Sequence, residues 1–146
     1  SPQVIVSRSH PDFVRKLLEF EIPEIYEGVI EIKSVSRDAG YRSKVAVYSP
    51  DENIDPVGSC VGQKGVRIQN VINELHGEKI DVILYEKDPA TFIKNALSPA
   101  KNVEVFITDP KKKEATCIVD KDNLSLAIGR KGINIKLASR LTHYKL

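Results

Sequence analysis

One five-residue pattern occurs twice, and nothing else in the chain limits its fold as strongly. Val61-Gly62-Gln63-Lys64-Gly65 returns as Ile128-Gly129-Arg130-Lys131-Gly132. Each copy has an apolar residue, a glycine, two polar or basic residues and a second glycine. Each opens a segment with apolar residues at helical spacing. A pattern repeated in the same context marks a duplicated supersecondary unit. One such loop is satisfied by a plain helix–helix turn. Two, with lysine at the same place both times, favour a loop that meets negative charge.

The repeat extends well beyond the loop. In the first unit Ser9 can cap a helix, Pro11 suits its first turn, and Phe13, Val14, Leu17 and Leu18 form one stripe. In the second, Asp88 and Pro89 start a helix striped by Phe92, Ile93, Ala96 and Leu97. Alternation predicts a hairpin of strands at 29–35 and 44–48, turning around Asp38-Ala39-Gly40. The second hairpin is predicted at 103–107 and 115–119, turning through Asp109-Pro110 and three lysines. A short helix leads into each loop, with Asp55 and Pro56 starting the first and Asp122 or Asn123 capping the second.

After each loop a longer helix is predicted. Ile68, Val71, Ile72 and Leu75 stand at i, i+3, i+4 and i+7. Its counterpart carries Ile135, Leu137, Ala138 and Leu141, a broader apolar face, with Leu137 where the first unit has Asn70. The extra apolar surface is expected to pack against the other unit. The first unit closes with a strand at 79–85, whereas only Tyr144-Lys145-Leu146 remains for the second. The order is helix, strand, strand, helix, loop, helix, strand, twice, an α+β pattern with the last strand truncated. The expected division is 1–8 as the end of a preceding domain, 9–87 as the first unit and 88–146 as the second. Gln3-Val4-Ile5-Val6-Ser7 looks like the last strand of that preceding domain, so the chain reads as an excised fragment.

Composition narrows the class. The 146 residues are 41% hydrophobic and 29% charged, ordinary for a globular protein. No apolar run approaches membrane-span length and no signal-peptide pattern opens the chain, so a cytoplasmic, membrane-free setting is expected. Cys60 and Cys117 lack metal-ligand spacing and are expected as buried free thiols. Net charge is only +2. Its distribution is uneven. Residues 1–60 hold 7 Lys+Arg against 10 Asp+Glu, a balance of −3, and the remainder holds 15 against 10, a balance of +5. After Asp122 no acid occurs, while Arg130, Lys131, Lys136, Arg140 and Lys145 are basic. Local positive surface of this kind attracts phosphate.

The loop chemistry agrees. Glycine allows a tight turn and close approach of a sugar-phosphate, and the following helix offers unpaired N–H groups and its positive dipole end. In these features the loop resembles the G-x-x-G clamp of KH modules, which hold about four nucleotides of single-stranded nucleic acid. Val61 and Ile128 are expected to line the apolar groove beside the clamp.

More of the chain resembles one family, the tandem KH region of the bacterial NusA transcription elongation and termination factors. The resemblance is carried by Pro23-Glu24-Ile25-Tyr26-Glu27-Gly28, Ser36-Arg37-Asp38-Ala39-Gly40-Tyr41-Arg42, Asp55-Pro56-Val57-Gly58-Ser59-Cys60-Val61-Gly62 and Leu126-Ala127-Ile128-Gly129-Arg130-Lys131-Gly132. Ser7-Arg8-Ser9-His10 resembles the family's join to an S1 domain. The resemblance implies two KH domains of prokaryotic type (type II) that form one extended RNA surface, in a monomer that acts with RNA polymerase and other transcription factors on nascent RNA, in pausing, termination and antitermination. It implies RNA contacts at Gly62, Gln63, Lys64, Gly65, Gly129, Arg130, Lys131 and Gly132, and on the following helices at Arg67, Asn134 and Lys136. Arg37, Arg42, Lys111, Lys112 and Lys113, in the hairpin loops, are weaker candidates. No cofactor, metal or catalytic residue is implied.

Other readings compete. Gly58-Ser59-Cys60-Val61-Gly62 formally matches a nucleophile elbow with cysteine for serine, but no buried strand precedes it and no acid partners His76 or His143. Asp120-Lys121-Asp122-Asn123 lacks the twelfth-position glutamate of a calcium loop. A generic single-strand binder and a protein-docking scaffold of the transcription complex remain alternatives. Few aromatic residues argue for modest affinity by stacking.

Overall fold

The first unit folds around a sheet that is covered on both faces. A computed structural model describes residues 8–146; the expected strand at 3–7 and the expected domain end at 1–8 lie outside, or almost outside, these residues. Helix α1 (Pro11–Glu21) buries Val14 and Leu18. Its cap is His10 and not Ser9: the imidazole Nδ1 accepts from the Asp12 amide at 3.0 Å. A short helix α2 (Pro23–Tyr26) follows, which the sequence pattern did not predict. It delays the first strand. The Glu24 carbonyl accepts from the amides of Val29 and Ile30, so β1 runs Glu31–Asp38, not 29–35.

Strand β2 (Arg42–Tyr48) pairs antiparallel with β1, and β3 (Lys79–Leu84) pairs parallel with β2, giving the order β1-β2-β3. Between them lie α3 (Pro56–Val61) and α4 (Val66–Glu74). Asp55 caps α3 as expected, its carboxylate accepting from the Gly58 amide. The second unit repeats this plan with α5 (Pro89–Ala96), β4 (Val103–Asp109), β5 (Glu114–Val119), α6 (Leu124–Ile128) and α7 (Ile133–Thr142). Asp88 caps α5 through the Thr91 amide. Asn123 precedes α6 without capping it, because its side chain accepts from the Lys101 amide and donates to Asp120. The closing strand is represented by one parallel bridge from Lys145 to Glu114, placed as β3 is placed on β2.

Two apolar cores result. Val14, Leu18, Ile22, Val45, Val47, Cys60 and Val71 fill the first. The second gathers Phe92, Ile93, Leu97, Ala138 and Leu141, and it also takes Ala46 and Ile83 from the first unit's sheet. Residues 43–47 of β2 are therefore buried without alternation, the pattern of a strand packed on both faces. The expected role of α7 holds: it lies against β1 and β2. Leu137 is fully buried, and its carbonyl accepts from Ser36 Oγ at 2.8 Å, while the Leu141 carbonyl accepts from Ser34 Oγ at 2.9 Å. Two strand residues advance about 6.8 Å and four helix residues about 6 Å, so serines at i, i+2 meet carbonyls at i, i+4. Lys44, fully buried, ties the units further by donating to Asp81 at 2.9 Å and to the Ser98 carbonyl at 2.7 Å. No helix among the described residues is long and apolar enough to cross a membrane.

Candidate nucleic-acid interface

The two loops have the same backbone. Gly62 and Gly129 stand at φ 79°, ψ 173° and φ 77°, ψ 170°. Lys64 and Lys131 follow at φ 54° and 56°, and Gly65 and Gly132 at φ 74°. The glycines have different reasons to be glycine. A Cβ on Gly129 would come 2.7 Å from the Asn134 amide nitrogen, and one on Gly62 3.1 Å from that of Arg67, so the loop folds directly onto the next helix. Around Gly65 and Gly132 there is room, and only the left-handed φ selects glycine. A lysine in that region costs about 1 kcal/mol. Both loops carry that cost at the residue whose exposed ammonium stands at the tip.

Helices α4 and α7 begin at the second glycine with no side chain capping them. The Val66 and Ile133 amides donate to the Gln63 and Arg130 carbonyls within the loop turn, and the positive dipole ends remain for an anion. Gln63, Lys64, Arg130, Lys131 and Lys136 are exposed around these ends.

Other expected contact residues are already engaged within the protein. Arg67 pairs with Glu24, which raises its pKa, and donates to the Ser59 carbonyl, so it braces the first loop. Asn134 is buried, not on the open surface; its Nδ2 donates to the carbonyls of Leu97 and Ala127 at 3.2 and 3.0 Å. Arg37 is not a free cation of the hairpin loop. Its side chain is 5% exposed and grips Glu78 through Nε and Nη2 at 3.0 Å each. Burial alone would push the Glu78 carboxyl up, but bonds from Arg37, the Gly40 amide and Ser43 Oγ outweigh it and hold the pKa down. Arg42 pairs with Asp81. Lys111, Lys112 and Lys113 are exposed in the β4–β5 turn.

Val57 of α3 and Val82 and Leu84 of β3 line a cleft of about 460 Å³, and Val61, at the end of α3, is half-buried. The cleft continues onto Lys94, Lys101 and Asn102 of the second unit, which no periodicity marked, since they meet β3 only when the units dock. On α6, Leu124 and Ile128 present the equivalent exposed surface, at 47% and 41%. Burial pushes the Cys60 thiol up to about 12, so the elbow-like stretch offers no thiolate at neutral pH. Cys117 is only half-buried.

Comparison with known proteins places this geometry. Residues 8–85 match the NusA-like first KH domain, and residues 89–146 match the NusA-like second KH domain. The chain belongs to the NusA-like KH family. Its relatives include the transcription termination/antitermination proteins NusA of Borreliella burgdorferi, 56% identical over 99% of this chain and 30% of the relative, and of Bacillus subtilis, 51% identical over 99% and 39%. That of Thermus thermophilus is 52% identical over 99% and 37%. The chain thus spans between a quarter and a half of the length of these relatives. The crystal structure of APE1850 has a similar fold, with a TM-score of 0.60 at 21% identity, covering 92% of this chain and 94% of that one. The fold class is therefore two tandem KH domains.

Proposed function

We propose that this tandem KH region binds single-stranded RNA through its two Gly-x-x-Gly loops, which work as one extended surface, within a factor that acts with RNA polymerase on nascent RNA. The observation that carries the reading is the identical, left-handed loop backbone in both units, with lysine at each strained tip and an uncapped helix behind it. Strain of this kind is kept where function uses it. The loop amides and lysines hold phosphates, and the cleft between Val57 and β3 leaves base edges open to hydrogen bonding. The relatives' name, transcription termination/antitermination protein, supports a role for this region in those processes.

A second reading has one observation behind it. Phe20 and Tyr26, on the acidic first unit, are 92% and 82% exposed, which suits a protein partner such as the polymerase. The test is a variant carrying both Lys64→Asp and Lys131→Asp. RNA affinity is expected to fall at least a hundredfold with the fold intact by circular dichroism. Unchanged affinity would leave protein docking as the function of this region.

A further inference from the structure

A separate cavity of about 220 Å³ lies where the second loop meets the first unit's hairpin. Gly129, Arg130 and Asn134 form one wall, and Tyr41, Arg42 and Lys79 the other. The second wall is fixed. Arg42 and Lys79 are register partners in adjacent strands, the Lys79 amide donates to the Tyr41 carbonyl at 3.1 Å, and the buried Arg37–Glu78 pair anchors the turn through the Gly40 amide. Among the described residues, two buried side-chain atoms have no hydrogen-bond partner: Arg42 Nε and Asn134 Oδ1. Both belong to residues of this cavity. Asn134 is 1% exposed, and its orientation is set by the two carbonyls that its Nδ2 serves. Arg42 Nε lies 3.4 Å from Asp81 Oδ2, an ion-pair distance without hydrogen-bond alignment.

Buried polar atoms without partners are costly, so these two mark the junction between the units as a polar seam beside the cavity. A nucleobase, unlike a phosphate, offers a planar face for stacking as well as donors and acceptors at its edge. Tyr41, 48% exposed, supplies a stacking face, and Arg130 and Lys79 supply charge for the flanking phosphates.

We infer that this cavity seats one unstacked base of the bound RNA, at the junction between the two KH units. The inference rests on the RNA-binding reading above and adds to it a base-recognition point outside the groove of either unit. It is tested with a short RNA in which each nucleotide in turn is made abasic, titrated against the native protein and Tyr41→Ala. Tyr41 is half-exposed in a turn, so its truncation leaves the fold in place. In the native protein one abasic position is expected to weaken binding roughly tenfold by loss of stacking. That position becomes indifferent in Tyr41→Ala, while the other positions keep their effects. Tight binding with the same abasic profile in both proteins would overturn the base seat and leave the loops' role standing. Absence of RNA binding by the native protein would overturn both.

Discussion

Gly62 and Gly129 are spatially forced, whereas Gly65 and Gly132 are forced only by conformation. Gly132→Ala should therefore cost about 1–2 kcal/mol, the left-handed penalty alone. Gly129→Ala adds a clash with the Asn134 backbone and should cost more, about 3 kcal/mol or above. Urea unfolding of the two variants checks the order, and equal losses would contradict it. Glu78 carries a second prediction. Its pKa is lowered, so the stabilisation is fully present above the ordinary value of 4.5 and is lost as pH falls through the folded value. Glu78→Gln leaves the Arg37 charge buried and should lose about 3 kcal/mol at pH 7. Its stability should also fall less steeply than the native protein's below pH 4.5. Parallel acid titrations would contradict this. At this scale the sequence was legible where backbone chemistry speaks, in the loop glycines, Asp55 and Asp88. It misled where a charge has a distant partner. Nothing local to Arg37 announces Glu78, forty-one residues on, or sends Asn134 inward while Lys136 stays exposed.

Both hairpins, the helix after each loop and the closing strand of the first unit were readable from periodicity, and the short helix before each loop from its expected capping residues. Helix α2 was not, as four residues give no period. Its theft of the Val29 and Ile30 amides also moved the start of β1. The most telling deviation in the sequence was Leu137 at the place of Asn70, which predicted a contact that α7 makes with the first sheet. Leu137→Asn should cost about 2–5 kcal/mol, from lost burial and an amide without partners. Thermal melting should show a clearly lowered midpoint. An unchanged midpoint would mean that α7 does not hold the units together. The cleft wall escaped notice for the same geometric reason. Lys94, Lys101 and Asn102 belong to the second unit and reach β3 only across that interface.

For the molecule as a whole, charge is divided between the two units. The acid-free stretch after Asp122 builds the second loop and α7. The acidic excess stays in the first unit, around the exposed Phe20 and Tyr26. Docking through α7, Lys44 and the shared core places the second loop beside the first unit's hairpin, so that the cleft at β3 and the junction cavity belong to both units. Sequence repetition revealed two loops; the proposed common RNA surface depends on how the units pack. The most direct measurement of that claim is a fluorescence-anisotropy titration of native protein and the Lys64→Asp, Lys131→Asp variant with one unstructured RNA at two salt concentrations. Phosphate clamping by both loops predicts a log–log salt slope of roughly −0.7 per contacted phosphate, shallower by more than one unit in the variant. Equal slopes and equal affinities in the two proteins would contradict it.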